Sequence, residues 1–168
     1  IKIEKFKGKD KGPYLVVYNH QTGYDQFIVP LSFNFPLYQV ASDDIFSMGI
    51  LSKIINYIAK PIPIKKNVSD ITAVKTCIKV AKEGGSIALS PEGNRTYSGQ
   101  TGHFNPAIVG LIKLLNLPVL IYRIEGGYNA LPRWADKPRK GKVRAYVKNV
   151  IPQEQVASLS KEQLLQLL

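Results

Sequence analysis

The stretch VVYNHQTGYDQF, residues 16–27, holds a histidine and a carboxylate five positions apart, His20 and Asp25. On a helix such a pair would point in different directions. Across a strand-to-helix turn the two can meet, with Gly23 easing the backbone. An aspartate accepting one imidazole N–H leaves the other ring nitrogen free as a general base. The same two residues also suit an ordinary turn histidine and a helix-terminal aspartate, and the pair by itself does not choose.

A second polar cluster is SPEGNRT, residues 90–96, directly after an apolar run. Arg95 at a strand exit is placed to fork onto a phosphate or a carboxylate. A solvated loop with an internal Glu92–Arg95 pair is the alternative. Other chemistries lack candidates. The chain has no G-x-S-x-G elbow, no P-loop and no G-x-G-x-x-G. Its one cysteine, Cys77, cannot form an internal disulfide, has no metal-ligand cluster around it, and lies in a helical stretch as a core residue.

The elements that must position these residues read as follows. Tyr14–Tyr18 predicts a buried strand, and Gly23 to about Leu31 a short helix opening at Thr22 and bent or ended by Pro30. Phe46–Ala59 predicts a second helix, stopped by KPIP. A third, capped by Ser69, places Ile71, Val74, Ile78 and Ala81 on one face and ends at Gly84 and Gly85. Ser86–Ser90 is a strand. Pro106, at about the first helical position, starts a helix to Leu115. PVLIYRI and KVRAYVKNV are strands. Ser160 and Gln163 form a capping box, stapled by Leu159 and Leu164, for a last helix.

Apolar runs alternating with helical patterns indicate an α/β fold, and 168 residues without repeats or linkers indicate one domain, 1–168. The formal charge is +11, which suits polyanions: nucleic acid, anionic lipid or phosphate-bearing substrates. No apolar run reaches the ~18 residues that span a bilayer. The chain begins at Ile1, not Met, which leaves an upstream membrane anchor open.

The motifs together resemble those of a known family. NHQTGYD resembles the N-H-x-x-x-x-D block of the glycerolipid acyltransferases, the 1-acylglycerol-3-phosphate acyltransferase family. SPEGNRT resembles that family's F-P-E-G-T-R-S block, in the expected order and at the expected separation. AKPIPIKKN and NLPVLIYRI resemble two further blocks, so the likeness runs from Leu15 to Ile124. It implies a glycerol-3-phosphate acyltransferase-like fold, a mixed, mostly parallel central sheet flanked by helices. It implies His20 as general base and Asp25 as its orienter. Arg95 would bind the acceptor phosphate, with Glu92 and Gly93 shaping its loop and Lys66 where the family has a phosphate-binding arginine. The hydroxyl of a lyso-lipid acceptor would attack the thioester of acyl-CoA or acyl carrier protein directly, with no cofactor and no metal. An anionic membrane surface is the expected partner, and the cytoplasmic face of a membrane the expected location. Lys66, Ser90, Asn94, Ile121, Tyr122 and the stretch TGHFNPA depart from the family's pattern, all around the implied acceptor pocket.

A nucleic-acid module would need aromatic residues interleaved with the basic ones, and KVRAYVKN offers a single tyrosine, so no nucleic acid is expected. KPRKGKVR reads as a solvated hairpin or a membrane-facing cluster. A different acceptor, such as an aminolipid, and a lipid-binding relative without catalysis are the remaining alternatives.

Overall fold

The computed structural model describes residues 1–8, 12–42, 53, 57, 61–65 and 70–168. The expected helix Phe46–Ala59 lies largely outside the described residues, and Ser69 and Lys66 lie wholly outside them. Seven strands form one sheet: β1 Lys2–Ile3, β2 Leu15–Tyr18, β3 Leu37–Ser42, β4 Ile62–Ile64, β5 Ser86–Leu89, β6 Val119–Glu125 and β7 Arg144–Ile151. Their order is β1-β7-β6-β2-β5-β3-β4. The five from β6 to β4 in that order run parallel, and β7 is antiparallel to β6. The fold is thus α/β, with a mixed and mostly parallel sheet.

Strand β2 sits at the centre, buried along its whole length, and its alternate side chains serve two cores. Leu15 and Val17 face one layer with Ile87, Leu89 and Val119; Val16 and Tyr18 face the other with Ala88, Leu120 and Tyr122. That burial on both faces explains the unbroken apolar run, since a strand with one wet face would alternate. Strand β4, inside the KPIP stretch read as a helix stop, and β3 add a wing the sequence did not announce. Pro63 is tolerated because β4 is an edge strand with one neighbour, so a missing N–H breaks no ladder on its open side.

Among the described residues, the helices that can be traced end to end are α1 Asp25–Ile28, α2 Ile71–Lys82, α3 Ala107–Leu115, α4 Gly127–Ala130, α5 Gln153–Ser158 and α6 Lys161–Leu167. Helix α2 is capped by Asp70, whose carboxylate accepts the Ala73 N–H at 3.0 Å. Its expected apolar face is met in part, with Ile78 and Ala81 packed against the core. Ala73, Cys77 and Val80 face the sheet, while Ile71 is two-thirds exposed at 66%. Ile71 is the first residue of the helix, at the end of the stripe. Gly84 ends the helix in the left-handed region, at φ 80°, as expected. The α6 capping box and the burial of Leu164 also match the sequence. Pro106 stands one position before α3 instead of inside it. Lys113 ties α3 to the end of α5 by donating to the carbonyls of Val156, Ala157 and Leu159 at 2.9, 2.8 and 2.8 Å.

Cys77 is 1% exposed, and burial pushes its thiol up to about 11. A thiol is attacked as the thiolate. A thiol-specific reagent at neutral pH should therefore leave Cys77 of the folded domain unmodified and react once urea is added. Ready labelling without denaturant would place α2 off the sheet.

Candidate active site

Strands β2 and β5 are parallel neighbours, with Val17 opposite Leu89. Their C-terminal ends therefore deliver the two motifs side by side. In open parallel sheets that edge is where ligands bind, because loops on both sides diverge there. Asn19 fixes the exit of β2. Its side-chain amide donates to the Ile124 carbonyl at 2.9 Å and its oxygen accepts the Ile124 N–H at 2.8 Å, extending the pairing with β6 by side chain.

His20 follows, and its Nδ1 lies 2.8 Å from Asp25 Oδ2. Asp25 is completely buried, while the imidazole is a quarter exposed, at 25%. The carboxylate is held on all sides. Oδ2 also accepts the N–H groups of Gln21 at 2.6 Å and Thr22 at 2.9 Å, and Oδ1 accepts the Thr22 hydroxyl at 3.0 Å. A carboxylate so supplied can only accept from the imidazole, which places the proton on Nδ1 and leaves the Nε2 lone pair outward. Tyr18 meets the imidazole edge-on, with ring centres 6.2 Å apart. Burial, reinforced by the negative charge of Asp25, raises its phenol far above the ordinary range, so Tyr18 stays neutral and offers no competing base.

Three details of the turn differ from expectation. The helix expected from Gly23 to Leu31 is broken into α1 and a 3-10 turn, Pro30–Ser32. Thr22 does not cap it. The Thr22 hydroxyl oxygen accepts the Tyr24 N–H at 3.0 Å and the hydroxyl is spent on Asp25, so a local side-chain bond replaces the cap. Gly23 is also not left-handed. A side chain there would stand 3.7 Å from Arg95 Nη1, at ordinary contact distance, which places the arginine over this turn.

The second motif grips the first. Glu92 Oε1 accepts the His20 N–H at 2.8 Å, and Oε2 accepts the Gly102 N–H at 2.7 Å. The His20 carbonyl accepts the Thr96 N–H at 2.8 Å. Both main-chain groups of His20 are thus held by the loop after β5. Gly93 turns this loop at φ 66°, a left-handed value that favours glycine. Because both Glu92 oxygens hold backbone N–H groups, the internal Glu92–Arg95 pair does not form. Arg95 is half-buried and its guanidinium has no hydrogen bond or ion pair among the described residues. It borders an open pocket of about 370 Å³, lined also by Tyr97, Thr101 and His103.

Gln21, Thr96 and Asn19 are structural members of this site that the sequence did not single out. Gln21 Nε2 donates to the Gly99 carbonyl at 3.2 Å, and its Oε1 accepts the Tyr128 N–H at 3.1 Å. It joins three loops. The only prior signal was its position within the first motif. Lys66, expected as a second cation, lies outside the described residues, so its distance from Arg95 is not part of this geometry.

No curated protein matches the chain by sequence. A structural match covers 99% of this chain and 67% of the 1-acyl-sn-glycerophosphate (LPA) acyltransferase PlsC of Thermotoga maritima, with a TM-score of 0.77 and 20% identity. At that identity the likeness establishes a shared fold. A family model described as Acyltransferase matches residues 2–124, which includes both motifs and every strand from β1 to β6 but for the last residue of β6. With the buried His20–Asp25 pair at the sheet edge and that match over most of its length, the chain belongs to the acyltransferase family.

Proposed function

We propose that this domain transfers a fatty acyl group from acyl-CoA or acyl carrier protein to the free hydroxyl of a lysophospholipid such as 1-acylglycerol 3-phosphate. The observation that carries the proposal is the imidazole held through Nδ1 by a fully buried carboxylate, with no partner for its other nitrogen among the described residues. In this scheme the acceptor hydroxyl gives its proton to His20 Nε2 while its oxygen attacks the thioester carbonyl carbon. The tetrahedral species collapses, the C–S bond breaks, and the leaving thiolate takes the proton back from the imidazolium. No acyl-enzyme forms, and no cofactor or metal enters. Asp25 orients the ring and stabilises its cationic state.

Arg95 is the proposed phosphate contact, since its guanidinium has no partner among the described residues and stands beside the histidine turn. Lys66 remains a proposed second contact on the motif resemblance alone. In this proposal the domain works at the cytoplasmic face of a membrane, held peripherally or by a segment outside this chain. Among the described residues, no helix is long and apolar enough to cross one.

Thiol release from a thioester donor, measured against 1-acylglycerol 3-phosphate and the same lipid without phosphate, tests this. Arg95→Lys keeps the charge and loses the two-pronged hydrogen bonding. A charged hydrogen bond contributes about 1.5–3 kcal/mol, so kcat/KM for the phosphorylated acceptor should fall roughly ten- to a hundredfold. The donor KM should hold, and the penalty should shrink for the acceptor without phosphate. A raised donor KM instead would assign Arg95 to the CoA or carrier phosphate.

A further inference from the structure

The chain between β6 and β7 takes no part in the chemistry above, yet it leaves and rejoins the sheet at the edge that carries His20 and Glu92. Residues 133–142 hold five basic side chains, Arg133, Lys137, Arg139, Lys140 and Lys142, against the single acid Asp136. All five are exposed. Among them stands Trp134, the one tryptophan of the chain, half exposed at 50%.

This segment is a built loop. The Arg139 N–H closes it onto the Ala130 carbonyl at 2.7 Å, and the Ala135 N–H donates to the Pro132 carbonyl at 3.0 Å. The Arg139 guanidinium lies 4.7 Å from the centre of the Trp134 ring. The indole N–H donates to the Tyr128 hydroxyl at 3.3 Å. Tyr128 then reaches the site itself. Its N–H is bonded to Gln21, and its ring packs on Gly99, where an added side chain would stand 2.8 Å from it. Tyr97, 69% exposed, projects from the loop that bears Arg95.

We infer that the 133–142 loop is a docking surface for an anionic lipid bilayer, with Trp134 as its apolar anchor and the surrounding lysines and arginines on the headgroups. The inference rests on the acyl-transfer proposal only for its purpose, to set the mouth of the site against the bilayer that holds the acceptor. The indole is held in place by Tyr128 and Arg139 and still leaves half of its surface exposed among the basic side chains. Tryptophan favours the membrane–water interface because its ring is apolar and its N–H polar. Basic side chains near an anionic surface each add attraction, and stable peripheral binding needs the apolar and the electrostatic signal together. Single-stranded nucleic acid would need several open ring faces in a row for stacking, and the one ring within residues 133–142 has Arg139 over it.

Because Trp134 is the only tryptophan, its fluorescence reports on this loop directly. Vesicles containing phosphatidylglycerol should shift its emission to the blue and shield it from acrylamide, and vesicles of phosphatidylcholine alone should not. Lys137→Gln, Lys140→Gln and Lys142→Gln combined should weaken partitioning about ten- to a hundredfold. That variant should keep wild-type activity on a short-chain acceptor dissolved as monomer and lose activity on acceptor embedded in vesicles. Vesicle binding with unshifted emission, unchanged partitioning of the variant, or a shift given by an oligonucleotide and not by vesicles would each overturn the proposal. Docking with the expected shift but no thiol release on either acceptor would uphold the surface and sink the acyl-transfer proposal.

Discussion

His20→Ala lowers acyl transfer by about a hundred- to ten-thousandfold, the range a positioned general base supplies, and leaves the domain folded. The expectation follows from how the residue is held. Its main-chain N–H and C=O are bonded to Glu92 and Thr96, and alanine keeps both bonds. The ring itself contributes one hydrogen bond, to Asp25 Oδ2, an oxygen that still accepts from Gln21 and Thr22 once the ring is gone. Turnover by thiol release and the thermal midpoint should therefore separate, with the first collapsing and the second moving by only a few degrees. Wild-type turnover in this variant would move the base elsewhere.

Asp25→Asn is expected to cost turnover on a similar scale and stability as well. Four donors converge on this carboxylate: two backbone N–H groups, the Thr22 hydroxyl and the imidazole. An amide has one oxygen to accept with, and its NH2 faces donors on the other side. Either the turn gives up hydrogen bonds, at about 1–3 kcal/mol for each buried group left unpaired, or the imidazole adopts the tautomer that protonates Nε2. The second outcome removes the base without removing the histidine. The equivalent change in the serine-protease triad lowers turnover about 10⁴-fold. Urea titration gives the folded fraction, and thiol release normalised to it gives the catalytic loss. A normalised loss of only a few fold would reduce Asp25 to a residue that closes a turn.

How much of this was legible beforehand depends on the range of each interaction. The sequence alone located β2, β5, β6 and β7, the α6 capping box, the burial of Cys77, and both polar motifs, because each is specified within a few residues. It counted Ile71 with Ile78 and Ala81 on the apolar stripe of α2, but only the latter two pack on the core, since periodicity locates a stripe without showing how far along the helix the core covers it. It assigned Thr22 to a helix cap, although its hydroxyl serves Asp25 three residues on. It also passed over β3 and β4, whose short pairing depends on neighbours far along the chain.

The sequence by itself determined which side chains stand at the exits of two strands: a histidine with a carboxylate five residues on, and an arginine beyond a glutamate and a glycine. Only the tertiary structure decided that those exits are adjacent. Glu92 reaches the His20 N–H across 72 positions, and Asn19 reaches Ile124 across 105. Such bonds follow from strand order, and strand order is set by how two apolar faces of a sheet are covered at once. No local propensity encodes that choice, because all four residues of β2 are buried strand formers and none of them marks a particular neighbour.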